Sequence, residues 1–207
     1  MVVNFGECTQ LRYFELCCDG GSLYVNPYYL AELSPYFNGL CFANFQETQQ
    51  NRVQMEGISV EDMHELLRCI CPDETYTLEY RVNADNFAAL IYLSDRLLLQ
   101  NLRRELERLT NEKESAILDT ENVAMSSLVD ILIEASQADF NESSQRELCR
   151  KIGKFPRDEV FRYIKEAYPG ELCEPLEKKL QPYFYQAPCY SSGITHDWNE
   201  MHMRLFF

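Results

Sequence analysis

What narrows this chain most is a change of hydrophobic period along one stretch, from Phe14 to Leu109. Phe14-Glu-Leu-Cys-Cys18 and Leu23-Tyr-Val25 are short runs of aromatic and aliphatic residues, with Asp19-Gly-Gly21 between them. Two such runs about a glycine turn read as an antiparallel hairpin. Asn26-Pro27 ends the second run, and Tyr28 to Leu33 reads as a short helix. Ser34-Pro35 supplies an N-cap and then Pro at the first helical position, opening a helix with Tyr36, Phe37, Leu40 and Cys41 at helical spacing. Arg52-Val-Gln-Met-Glu56 alternates polar and apolar residues, which describes a half-buried strand ending at Gly57.

Helical signals dominate from there on. Ser59-Val-Glu-Asp62 has a capping-box pattern, and the helix it opens presents Met63, Leu66, Leu67 and Ile70 on one face. Pro72-Asp-Glu-Thr75 ends that helix. A second begins near Asn83 and carries Phe87, Leu90, Ile91, Leu93 and Ser94, and the pattern restarts with Leu98, Leu102, Leu106 and Leu109. Leu30, Leu33, Phe37, Leu40, Val53, Leu66, Leu67, Leu90 and Leu93 are expected to share one core under the small sheet. The polar run Thr110 to Ser115 marks the expected domain seam. Beyond it Thr120-Glu-Asn-Val123, Asn141, Pro156 and Glu174-Pro-Leu176 each announce a helix start. The residues from Tyr183 onward have no clean period. The reading is thus an α+β domain over residues 1–110, an all-α region over 116–182, and an aromatic-rich tail over 183–207.

Composition excludes several function classes. The 207 residues can bury a sizeable core, and 46% hydrophobic with 25% charged residues is ordinary for a globular chain. A net charge of −14 is not ordinary. It opposes binding to nucleic acid, whose affinity comes from cations neutralising phosphates, and to anionic membranes, so no nucleic acid or membrane partner is expected. Charge would instead steer encounters with a basic protein surface. The first residues have neither a basic start nor a long apolar run, and no stretch reaches the length of a membrane span. Cytoplasm or nucleus is therefore the expected location. Most of the nine Cys residues read as small apolar core residues of a reducing compartment.

The order of hairpin, Leu30-Ala-Glu-Leu-Ser-Pro-Tyr-Phe37, Phe45-Gln-Glu47, Asn51-Arg-Val53, helix pair and Leu93-Ser-Asp-Arg96 resembles the BTB/POZ family over about residues 13–110. The resemblance implies a BTB/POZ fold that mediates protein interactions and performs no chemistry of its own. Val123 to Ala167 resembles the BACK-type helical extension that follows many such domains. In family members that recruit a cullin scaffold, a hydrophobic-x-Glu motif packs its apolar side chain on a cullin helix and engages the partner with its acid. Phe45-x-Glu47 matches that motif, and the resemblance makes Phe45, Glu47 and the helix face around Phe42 the protein-binding candidates. An aromatic anchor beside a charge is also the chemistry of an interface hot spot. The alternative is that Phe45 packs on its own domain while Glu47 is solvated.

Two departures qualify the resemblance. Many relatives line a charged peptide pocket with an acid at the start of the first strand and a basic residue after the second. Tyr13 and Pro27 stand at about those places, so that chemistry is lost here. The family's usual dimer also uses a helix ahead of the first strand, where Met1 to Arg12 show little helical periodicity, so homodimerisation stays open. Chemistry finds no support. Cys189, His196 and His202 lack metal-ligand spacing, no Cys–His pair has local support, and no nucleophile elbow or phosphate loop occurs. No enzyme activity, cofactor or metal is expected. The leading function is a substrate-recruiting adaptor of a cullin-RING ubiquitin ligase; the rival is a cullin-independent scaffold, for example in transcriptional or chromatin complexes. The tail holds Tyr183, Phe184, Tyr185, Tyr190, Trp198, Phe206 and Phe207, more rings than disordered tails carry. It either packs back on the helical half or docks a partner through Trp198.

Overall fold

A computed structural model of the chain describes residues 3–43, 50–71, 81–111 and 116–184. Its sheet has three strands in the order β2-β1-β3, formed by β1 (Phe14–Asp19), β2 (Gly21–Val25) and β3 (Arg52–Ser59). β1 and β2 pair antiparallel with Leu16 opposite Leu23. β3 lies parallel to β1 on the other side, with Leu16 opposite Val53. Side chains alternate across a strand. Phe14, Leu16, Cys18, Leu23, Val25, Val53 and Met55 accordingly enter the core. The other face is polar: Arg52 Nε donates to Cys17 Sγ at 2.9 Å and lies 3.5 Å from Glu15.

β3 does not end at Gly57 as its alternation suggested. The strand continues to Ser59 because the register slips between Cys17–Gln54 and Asp19–Ser59, and Gly57 absorbs the kink at φ 67°. A residue without Cβ takes that angle at little cost. The slip leaves the Glu56 carbonyl free to accept from Arg96 Nη2 at 2.6 Å.

Two helices, α1 (Pro27–Leu33) and α2 (Pro35–Phe42), link β2 toward β3. α3 (Val60–Ile70), α4 (Ala84–Arg96) and α5 (Gln100–Asn111) follow. The start signals read at Ser34, Ser59 and Asn83 work locally. Ser59 Oγ accepts from Asp62 N, and Asn83 and Asn86 form a reciprocal capping box. Met63, Leu66, Leu67, Ile70, Phe87, Leu90, Ile91, Leu93 and Ser94 are buried on the expected faces. So are Leu30, Phe37 and Val53; Leu33 and Leu40 pack against the core while half-exposed. Pro72 to Thr75, read as the stop of α3, lies outside the described residues.

Leu98 departs from the restarted leucine pattern. It sits outside α5 in a left-handed turn at φ 52° and is 43% exposed, while Leu97 and Leu99 on either side are buried. The turn between α4 and α5 needs that backbone angle, which costs a Leu roughly 1–2 kcal/mol. Leu98→Gly is therefore expected to raise stability by about 0.5–1 kcal/mol in thermal denaturation, after the unfolded-state entropy of glycine is deducted. A lower Tm would mean that the exposed leucine makes a stabilising contact.

The all-α region contains a short 3-10 turn (Ala116–Leu118), α6 (Met125–Gln137), α7 (Glu142–Ile152), α8 (Arg157–Ala167) and α9 (Cys173–Phe184). α6 starts later than Thr120 suggested. The Asp119 carboxylate accepts from Glu121 N at 3.3 Å and its carbonyl from Asn122 N and Val123 N, so those residues turn instead. α9 runs past the expected end of the all-α region, and Tyr183 and Phe184, read as the start of the tail, complete it. Gly153 allows this end to dock: a Cβ there would stand 2.9 Å from the Tyr183 carbonyl oxygen.

The two halves share one continuous set of buried residues, from Phe14 through Leu90 and Leu132 to Leu180. α4 packs on α6, and α5 on α7. The start of the polar run is not a linker: Thr110 is fully buried, and Asn111 Nδ2 donates to Ser144 Oγ at 2.6 Å. Glu107 Oε1 accepts from Asn141 N at 2.6 Å, and Arg103 donates to the Ala138 carbonyl across the Phe140 ring. Lys151, buried, donates to the Leu118 carbonyl at 2.9 Å, and desolvation lowers its pKa. Among the described residues no helix is long and apolar enough to cross a membrane.

Candidate protein-docking site

Of the four residues singled out for binding, Phe42 is described; Phe45, Glu47 and Trp198 lie outside the described residues. Phe42 ends α2. The helix buries Phe37 and Cys41, which turns Phe42 outward at 44% exposure. In α1, Asn26 Oδ1 accepts from Tyr28 N and Tyr29 N at 3.1 and 3.3 Å, while Pro27 and Leu30 are buried, which leaves Tyr28 62% exposed. Ser34 closes α1 and caps α2. Packing α2 back on α1 through this shared residue brings the end of α2 to the start of α1.

The result is a pair of solvent-facing rings, Tyr28 and Phe42, with centroids 5.0 Å apart and planes tilted by 39°. Tyr13, just before β1, hydrogen-bonds the Tyr28 side chain. Desolvation first, and that bond second, push its phenol pKa up. Burial raises the neighbouring Cys41 thiol to about 11. Exposed aromatic pairs held by their own domain are the raw material of interface anchors, because rings bury much area at small entropic cost. Tyr28 was missed in the sequence because its partner stands fourteen positions away on another helix. Its one readable signal was the Asn26-Pro27 start, which fixes the helical phase and aims position 28 outward.

A second concavity, of about 340 Å³, lies among α1, α3 and α5 with Leu33, Ile70, Leu99 and Leu102 in its walls and Asn101 and Glu105 at its rim. Tyr29 Oη crosses it to donate to the Ile70 carbonyl at 2.6 Å. The thiols of Cys18, Cys69 and Cys149 are buried and burial pushes them up, to about 11, about 12 and about 11, as inert core cysteines should be. Among the described residues no three His, Cys, Asp or Glu side chains converge on a metal-sized site.

Comparison with known proteins bears on these observations. The model of the BTB/POZ domain family matches residues 10–114. Cytokinesis defective protein 7 of Caenorhabditis elegans is 25% identical over 182 residues, which cover 86% of this chain and 66% of that protein. BTB and MATH domain-containing protein 38 of the same organism is 33% identical over 106 residues, 51% of this chain and 26% of that protein. This chain thus spans less than two thirds of the length of each of these relatives. The matched segment coincides with the hairpin, the Ser-Pro-Tyr-Phe helix start, the parallel third strand and the helices through α5, and by that match the chain belongs to the BTB/POZ domain family, a protein–protein interaction fold.

Proposed function

We propose that the chain is an adaptor that docks a cullin scaffold of a ubiquitin ligase and presents a substrate to it, in the cytoplasm or nucleus. The docking face consists of Phe42, Phe45 and Glu47, extended by Tyr28. The observation that carries this reading is the exposed Tyr28–Phe42 pair, three residues ahead of Phe45 in the sequence. Where many relatives have a charged pocket, this chain places the Tyr13 and Tyr28 phenols and the buried Pro27, so its docking chemistry is aromatic. The net charge of −14 suits a basic partner face. The BACK-like helical half supplies the surface for the substrate.

Cullin capture by the purified chain tests this. Wild type should retain a cullin scaffold, and Glu47→Lys should lose it. The Tyr28→Ala/Phe42→Ala pair should weaken binding at least about 30-fold, since a hot-spot ring is worth about 2 kcal/mol or more. No cullin bound, or equal capture by wild type and Glu47→Lys, would sink the proposal.

The rival reading is a cullin-independent scaffold whose aromatic face meets a second copy of the chain or a private partner. The exposed, tilted ring pair suits such a face equally well. Light scattering separates the two: a stable homo-oligomer without cullin affinity, dissociated by Tyr28→Ala/Phe42→Ala, selects the scaffold.

A further inference from the structure

The α8 face of the helical half has no part in the docking site above. Arg157, Asp158, Phe161, Arg162, Lys165 and Glu166 line an open trough along it. Phe161 is its apolar floor. The Arg157 guanidinium lies over the Phe161 ring at 5.1 Å and donates to Gln181 Oε1 of α9 at 3.1 Å. Phe184, the last residue of α9, meets the same ring edge-on at 5.4 Å. The chain therefore leaves α9 beside a trough whose floor is aromatic and whose walls carry three cations and two acids.

We propose that the segment 185–207 of this same chain occupies the trough, with Trp198 seated on Phe161 between the Arg157 and Arg162 guanidinium groups. Chain continuity argues for this occupant: Phe184 already touches the floor, so closing the contact costs only a short loop. Trp198 stands fourteen positions after Phe184, more than enough chain to double back over a helix of α8's length. Chemistry argues for the side chain, since indole is the best acceptor for a cation over its face.

Trp198 is the single tryptophan, so its fluorescence in the full chain reports on the seat directly. Wild type should show blue-shifted emission and protection from acrylamide relative to a synthetic 185–207 peptide, unchanged on dilution. Arg162→Glu, an exposed substitution that leaves the core intact, should shift emission to the red and lose much of the protection. Phe161→Ala should do the same. Emission and quenching equal to those of the free peptide would overturn the proposal. So would protection that neither variant alters, which would place the tail elsewhere, and protection lost on dilution, which would assign the trough to a second copy's tail. Cullin capture by Arg162→Glu should stay at the wild-type level, which keeps this result separate from that of the α1–α2 face.

Discussion

Leu67→Ala is expected to lower the unfolding free energy by about 2–5 kcal/mol, the range for truncating a fully buried Leu. Leu67 is wholly shielded from solvent on α3, the helix that packs on all three strands and on α4. Met63 and Leu66 on α3 and Phe87 and Leu90 on α4 are equally buried in the same core, whose close packing limits collapse into the void. Small domains are stable by only about 5–15 kcal/mol, so the loss is a large share of the total. In a urea titration the midpoint should fall at unchanged slope. A midpoint equal to wild type would mean that α3 is not seated on the sheet, and the element assignment would fail with it.

Ser34→Ala should cost about 2–4 kcal/mol, far more than a surface serine. One hydroxyl here caps α2 of the docking site and ties it to the turn after α4. Ser34 Oγ accepts from Tyr36 N at 3.1 Å and Phe37 N at 3.3 Å, and donates to the Leu97 carbonyl. Losing an N-cap side chain costs about 1 kcal/mol. Leaving the Leu97 carbonyl without its donor in a site 1% exposed adds about 1–3 kcal/mol. Ser34→Thr keeps both bonds and should recover most of the loss. The comparison of Ala with Thr in denaturant unfolding checks the attribution; equal losses would assign the effect to packing volume instead. Because Ser34 joins α1 to α2, the alanine variant should also loosen the Tyr28–Phe42 pair and weaken partner capture.

The local signals were legible for a common reason. Asn26, Ser34, Ser59, Asn83 and Asn141 each act on amides two or three residues away, so the capping chemistry is contained within the window in which it is read. The faces of α3 and α4 were legible for a similar reason: a period of 3.6 in apolar residues already states which side must leave water. The same local logic failed at Thr120. The Asp119 side chain and carbonyl captured the following amides, and nothing in a run of good capping residues says which competing bond forms.

The sequence by itself therefore determined the hairpin, the capped helices, the BTB/POZ resemblance and an acidic chain suited to protein partners. Tertiary structure alone decided the extension of β3 through Gly57, the left-handed turn at Leu98 and the burial of Thr110 in a joint between the halves. It also decided that Tyr28 stands beside Phe42 and that Phe184 meets Phe161. These rest on atoms brought together from different parts of the chain, as with Tyr28 and Phe42, fourteen positions apart, or Phe161 and Phe184, twenty-three positions apart. Periodicity records which side of an element is buried. It carries no information about which other element comes to cover that side, because many pairings bury the same area and only close packing chooses among them.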